Sequence, residues 1–277
     1  MKLKENPTFV WARYPAEMTR GEFADLHSRL AGFGGITEAG EEEPILLWPG
    51  KFGRDWLDRR KASVGSYDYA KEYLCNPLPE DSQVFQRGWL RYYKADNVLE
   101  GGRAVQLPED DKPTTIKAVY MGVDLAISEK QRADYFACVT VGCATNRIFV
   151  LDAFHGKMSF KRQADFLNER YERFKPDIIA IESNAYQAAM RQYLLQESLM
   201  PVKGYFTTRD KVTRARRLSL NFENGQVYVR EDQHDLIAEL LQFPVGEHDD
   251  LVDALGFAVA QYQGRASTAT KTSGVNR

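Results

Sequence analysis

Three acidic sites along the chain could do chemistry together. Asp124 ends an apolar run in GVDLA, Glu182 ends another in AIES, and Asp249, Asp250 and Asp253 open a helix-like stretch in HDDLVDAL. If the two apolar runs are neighbouring strands, Asp124 and Glu182 face each other at the strand ends, where open α/β sheets build their sites. The terminal helix then delivers Asp250, with Asp253 on the same face three residues on. Carboxylates gathered in this way repel one another unless a cation sits among them, and hard Mg²⁺ or Mn²⁺ takes oxygen ligands. Two such ions about 3.5–4 Å apart activate water and stabilise the leaving oxygen of a phosphodiester, so no side chain need be the nucleophile.

Each acid alone also has an ordinary structural reading. Asp124 could begin a turn, Glu182 could be a solvated strand end, Asp249 and Asp250 could be N-cap and macrodipole residues, and Asp253 a surface acid. Their combination is harder to explain as separate accidents. Residues 203–217 (KGYFTTRDKVTRARR) add six basic residues against one acid. A basic helix carrying Lys211, Arg214 and Arg217, with Arg209 just ahead of it, would draw phosphates toward a carboxylate site that repels them. Such side chains, with the hydroxyls of Thr207 and Thr208, suit contacts to a nucleic-acid backbone that ignore base sequence. The competing reading is a solvated helix face. Tyr205 and Phe206 read as core. Arg87, Arg91 and Lys94, around Trp89 and the Tyr92–Tyr93 pair, read first as packing of an amphipathic segment and second as an extension of the basic track.

The chain must have elements able to position these groups. It has 277 residues, 43% hydrophobic and 27% charged, enough for a sizeable core and unlike disordered, collagen-like or coiled-coil sequences. The net charge of -2 excludes a bulk polycation, so nucleic-acid contact must come from a local patch. No stretch approaches the ~18 consecutive apolar residues of a membrane span, and the N-terminal residues show no secretory h-region. Three cysteines without CxxC spacing fit a reducing compartment and neither a disulfide framework nor a standard zinc site.

Residues 1–110 are aromatic-rich and broken by turns, and 1–114 read as an N-terminal connector segment. Thr19 and Glu22 make a capping box, Ser66 caps a short helix over YDYAKEYL, and 94–114 reads as a linker or exposed excursion. From about 115 the pattern becomes strand (117–127), strand (135–142), strand (147–154), helix (159–174), strand (177–182), helix (184–196), strand (201–206), helix (210–222), a short strand (226–229), then helices over 233–242 and 249–262. This order predicts an α/β fold: a mixed five-stranded sheet, its first three strands antiparallel, flanked by helices, with an N-terminal appended segment. Residues 115–263 form the main domain, and 264–277 a disordered tail.

The run GVDLAISEKQRADYFACVTVG, then IIAIES, then HDDLVDALGFAVAQ, resembles the nuclease domain of the large terminase subunits that package DNA into tailed-phage heads. LLWPGKF and YAKEYLCNPLPEDSQVFQRGWLRYY resemble the stretch joining the terminase ATPase to its nuclease. The resemblance implies an RNase H-like fold and a metal-dependent endonuclease acting on double-stranded DNA, with Mg²⁺ or Mn²⁺, two ions, as cofactor. It matches Asp124 to the first family acid, Glu182 to the second and the pair Asp249–Asp250 to the third, with Asp250 the direct ligand and Asp249 or Asp253 in support. Asp134, in the ADYFA segment, matches an acid that serves as a further metal ligand or stands behind the ligands, unless it is simply a hairpin residue. His248 could orient water or phosphate, or be structural. The small terminase subunit and the portal protein are the implied partners, the bacterial host's cytoplasm the implied location, and no membrane is involved.

Large terminases normally carry an ATPase first, but GxxxxGK[ST] is absent: Gly50-Lys51 has Ile45 where the upstream glycine belongs, and Gly156-Lys157 has Leu151 there and is followed by Met158. The chain therefore reads as a fragment, a split terminase or a prophage remnant without its own ATP hydrolysis. Other readings are a nuclease of the Holliday-junction resolvase type or a transposase core, against which residues 1–110 argue. A non-catalytic module docking on portal or small subunit would leave the acids structural. A flavodoxin-like nucleotide-binding domain lacks its glycine-rich phosphate loop.

Overall fold

Short-range signals in the sequence fix most elements of the chain. The computed structural model describes residues 14–29, 44–75, 83–99, 101–125, 135–182, 200–206, 208–246 and 248–272. They fall into two compact units, Met1–Ser82 and Gln83–Arg277.

In the first unit, β1 (Glu17–Met18) pairs antiparallel with β2 (Ile45–Leu46). Helix α1 (Arg20–Arg29) starts at the expected capping box: Thr19 N–H donates to Glu22 Oε2 (2.9 Å) and Glu22 N–H to Thr19 Oγ1 (3.2 Å). Helix α2 (Arg54–Glu72) begins well before the short helix expected after Ser66. Gly65, at φ 83, breaks the helical path in its middle, so the sequence pattern revealed only the second half.

The second unit is built on a seven-stranded mixed sheet. Its members are β3 (Arg91–Tyr93), β7 (Ala118–Asp124), β8 (Phe136–Ala144), β9 (Arg147–Gly156), β10 (Ile178–Glu182), β11 (Val202–Tyr205) and β12 (Val227–Arg230), in the order β11-β10-β7-β8-β9-β12-β3. The β7–β8–β9 meander is antiparallel, as expected, and the remaining pairs are parallel. The five expected strands are present, and β12 and β3 extend the sheet beyond β9.

Residues 83–114, expected to go with the N-terminal connector, belong to this second unit. The apparent linker forms a small antiparallel sheet of β4 (Val98–Leu99), β5 (Ala104–Val105) and β6 (Thr114–Thr115). Its few apolar residues reach the core: Val105 and Leu107 pack with Tyr93, Phe149 and Tyr228. Arg147 grips Asp110 through both guanidinium nitrogens and also donates to Thr114 Oγ1 (3.1 Å). Tyr93, on edge strand β3, is buried, and its hydroxyl donates to the Val150 carbonyl (2.7 Å). The segment around Trp89 therefore packs, and Arg91 turns its guanidinium to the Tyr228 hydroxyl (3.2 Å).

Helices cover both faces. On one lies α3 (Phe160–Phe174), capped by Ser159, whose side chain accepts from Arg162 N–H. On the other lie α4 (Lys211–Glu223), α5 (His234–Gln242) and α6 (Asp250–Thr272). Asp210 caps α4, accepting from Thr213 N–H (2.9 Å). Helix α6 continues through the stretch expected to be a disordered tail, as far as Thr272; that stretch is small and polar but contains no proline to stop a helix. The expected helix over 184–196 lies outside the described residues. No described helix is long and apolar enough to cross a membrane.

Strand alternation decides what faces what. Met121 and Val123 of β7, and Ile179 and Ile181 of β10, join the cluster with Ala164, Phe166 and Leu167 of α3. Tyr120 and Ile178 join the opposite cluster, with Leu251, Val252 and Leu255 of α6. By period two, Gly122, Asp124 and Glu182 lie on the α6 side. Gly122 makes this packing close: a Cβ there would stand 1.9 Å from the Ala254 carbonyl oxygen and 2.7 Å from the Ala258 nitrogen. Backbone meets backbone, with no flexible side chain to yield. Gly122→Ala should therefore destabilise the protein by more than about 3 kcal/mol, beyond ordinary overpacking, measured by urea denaturation; a loss under about 1 kcal/mol would mean the helix retreats freely.

Candidate active site

The register of β7 and β10 sets the first two acids side by side. Ile181 pairs with Val123 across the parallel ladder, so Glu182 and Asp124 are the next residues on adjacent strands, both at carboxyl ends and both half-buried. Helix α6, lying on Gly122, brings the start of HDDLVDAL to the same place. The Asp124 carboxyl is pushed up to about 8, first by burial and then by the negative charges of Asp253, Asp250 and Glu182. Asp124 thus feels the acids of both the neighbouring strand and the helix.

Helix α4 balances part of that charge. Lys211 Nζ stands 2.5 Å from Asp249 Oδ1 and 3.0 Å from Asp253 Oδ2, and Arg214 Nη2 stands 2.8 Å from Asp253 Oδ1. Burial works against the Lys211 ammonium, but Asp253 and Asp249 outweigh it and hold its pKa above the usual lysine value. Asp253 is 7% exposed and takes both cations. Two of the four residues expected on a DNA-facing surface are thus turned inward as counter-ions. Arg209 and Arg217 are exposed and, with Phe206, Arg214, Asp253 and Phe257, line a cleft of about 450 Å³ between α4 and α6. Tyr205 packs on Phe257 with ring centroids 5.0 Å apart, whereas Phe206, expected in the core, is 77% exposed.

His248 is half-buried beside the start of α6, its ring edge-on to Tyr135 with centroids 4.6 Å apart. Tyr135 in turn stacks on His155 at the end of β9, at 5.4 Å. Asp134 lies outside the described residues. Sequence reasoning passed over Glu239, which is 6% exposed on α5 with its carboxylate against the first turn of α6. The available signal was an acid on the apolar stripe formed by Leu236 and Leu240.

These carboxylates suit a hard divalent cation in donor type and in charge, and positive charge among them would relieve the penalty on Asp124. In their present rotamers no group of three or more His, Cys, Asp or Glu among the described residues is gathered closely enough to hold an ion.

A mixed sheet with the three-stranded antiparallel meander β7–β8–β9, acids at the ends of β7 and β10 and an acidic helix beside them, defines the RNase H-like fold class. A family model described as the terminase RNase H-like domain matches residues 121–261, just over half the chain, and the chain belongs to that family. The large terminase of a thermophilic bacteriophage is similar in two crystal forms: TM-score 0.55 at 11% identity over 75% of this chain and 52% of that one, and TM-score 0.54 at 12% identity over 75% and 51%. The chain spans about half the length of that terminase. The large terminase nuclease of a second thermophilic phage, G20c, crystallised with bound zinc, is less similar, at TM-score 0.45 and 16% identity over 66% of this chain and 98% of that one. No curated protein sequence matches.

A site that holds Asp124 against its preference for ionisation costs stability. Its folded pKa lies above the unfolded value of about 3.9, so its contribution is complete below that pH and is lost as pH rises through about 8. Without divalent metal, the melting temperature should fall between pH 5 and 8.5. Asp124→Asn should raise it at pH 8 by several degrees, at roughly 2–4 °C per kcal/mol, and flatten the decline; Glu239, pushed up to about 7 chiefly by burial, acts in the same direction. Calorimetry in chelator checks both, and an Asn variant no more stable at pH 8 than the parent would contradict the crowding of charge.

Proposed function

We propose that this protein is a metal-dependent endonuclease that cuts double-stranded DNA during viral genome packaging. The observation that carries the reading is the meeting, in a terminase RNase H-like chain, of Asp124 and Glu182 on adjacent strand ends with the acidic start of α6. In this reading Asp124, Glu182 and Asp250 hold two ions, Mg²⁺ or Mn²⁺, with Asp249, Asp253 and Asp134 in support. Such ions, when bound, polarise the phosphodiester and activate water for attack. Lys211 and Arg214 keep Asp249 and Asp253 oriented and limit repulsion of the incoming backbone. In this reading His248, its ring against Tyr135, orients water or phosphate. Arg209 and Arg217 meet the DNA backbone along the α4–α6 cleft. The small terminase subunit and the portal protein are the proposed partners, and the host cytoplasm the proposed location.

Plasmid cleavage with Mg²⁺, Mn²⁺ and chelator tests the activity. Asp124→Ala and Asp250→Ala should each reduce cutting at least 100-fold, in line with the loss of a metal-held transition state, while leaving salt-sensitive DNA binding intact. Folded variants that cut at the parental rate would sink the site assignment. The surface is tested separately. Arg209→Ala with Arg217→Ala should weaken DNA binding and lower the slope of log K against log salt by roughly 2, one for each phosphate no longer neutralised; an unchanged slope in a filter-binding titration removes this cleft from the DNA path.

A further inference from the structure

Helix α6 is capped from another helix. Asp253 N–H donates to the Asp249 carbonyl (3.1 Å), which puts Asp249 where a capping side chain belongs. Its carboxylate is engaged elsewhere, at Lys211. The Leu251 amide of the first turn is met instead by Glu239 of α5, whose Oε2 accepts from Leu251 N–H at 2.8 Å. The other oxygen lies 3.3 Å from His155 Nδ1, without the geometry of a hydrogen bond, and among the described residues neither of these two buried atoms has a hydrogen-bond partner. His155 is held in turn by Asp235 Oδ2, 3.3 Å from Nε2, and by the stacked Tyr135 ring. Burying a carboxylate on an apolar stripe is costly, and the hydrogen bond this one makes is to the start of α6, with an imidazole on β9 beside its other oxygen.

We propose that Glu239 is a positioning residue for the candidate active site: by taking over the cap of α6 it fixes where Asp250 and Asp253 stand beside Asp124, and it leaves Asp249 to Lys211. The functional half of this inference rests on the nuclease reading above; the capping half does not.

The test compares the full chain with Glu239→Ala and Glu239→Gln. The Gln carbonyl oxygen can still accept from Leu251 N–H, so rescue by Gln is the signature of the cap. In the Ala variant, exchange at the Leu251 amide should quicken about ten-fold, the scale of a missing cap, and Mn²⁺ affinity by calorimetry should fall at least ten-fold, the scale of a missing partner behind metal ligands. The Gln variant should stay within about three-fold of the parent in both, because its amide keeps the bond. If the Ala variant fails to fold, Glu239→Asp, one methylene too short to reach, supplies the same contrast. A folded Ala or Asp variant with parental Mn²⁺ affinity overturns the positioning role, and equal losses in the Gln variant overturn the cap as its means. A parent protein that binds no Mn²⁺ removes the nuclease reading and the positioning role with it, while amide exchange still decides whether Glu239 is the cap.

Discussion

One contact governs the second unit: the backbone of α6 lies directly on β7 at Gly122. A helix normally stands off a sheet by the depth of two side-chain layers. Here the absence of a Cβ removes one layer, two residues before Asp124 on the same face of the strand. The helix start is therefore close enough for Asp250 and Asp253 to act on the Asp124 carboxyl. The acids that meet are separated by more than 120 positions in the chain, and it is packing, not local sequence, that sets their separation. The same contact orients the buried face of α6, whose Leu251, Val252 and Leu255 fill the core beside Tyr120 and Val139.

Close packing of like charges has a consequence for the surroundings. Helix α4 carries the compensation: Lys211 and Arg214 reach Asp249 and Asp253, while Arg209 and Arg217 stay on the surface. One short basic segment thus divides its charges, with positions 211 and 214, on one side of the helix, turned to the acids. The site remains unfavourable to its own first acid even so. Natural proteins commonly accept such local instability where function requires it.

Much of this was legible in the sequence, for identifiable reasons. Apolar runs marked β7 to β11, and Thr19 with Glu22 announced a helix start because short polar side chains at such positions satisfy exposed amides. The acids were legible as a set through their positions at strand ends and their likeness to a family pattern. Which way β7 faces was not legible: both of its sides are buried, so AVYMGV shows no alternation between apolar and polar residues. Residues 94–114 looked like a linker because a few scattered apolar residues, Ala104, Val105 and Leu107 buried and Val98 partly so, suffice to seat a small sheet in a stretch otherwise rich in polar residues, glycine and proline. The partners of Lys211 and Arg214 were invisible for a related reason. A basic helix reads the same in one dimension whether its charges meet phosphate or carboxylate, and only the tertiary placement of α6 distinguishes them.

The bond from Leu251 to Glu239 has an implication for how this chain can vary. It ties α5 and α6 together across the loop that connects them, and the loop's ends cannot separate without breaking it. Surface loops ordinarily absorb inserted or deleted residues at little thermodynamic cost. Between Phe243 and Asp249 the connection closes on ends that this bond holds together, so a change of length must be taken up within the connection itself and not by a shift of the acidic helix start.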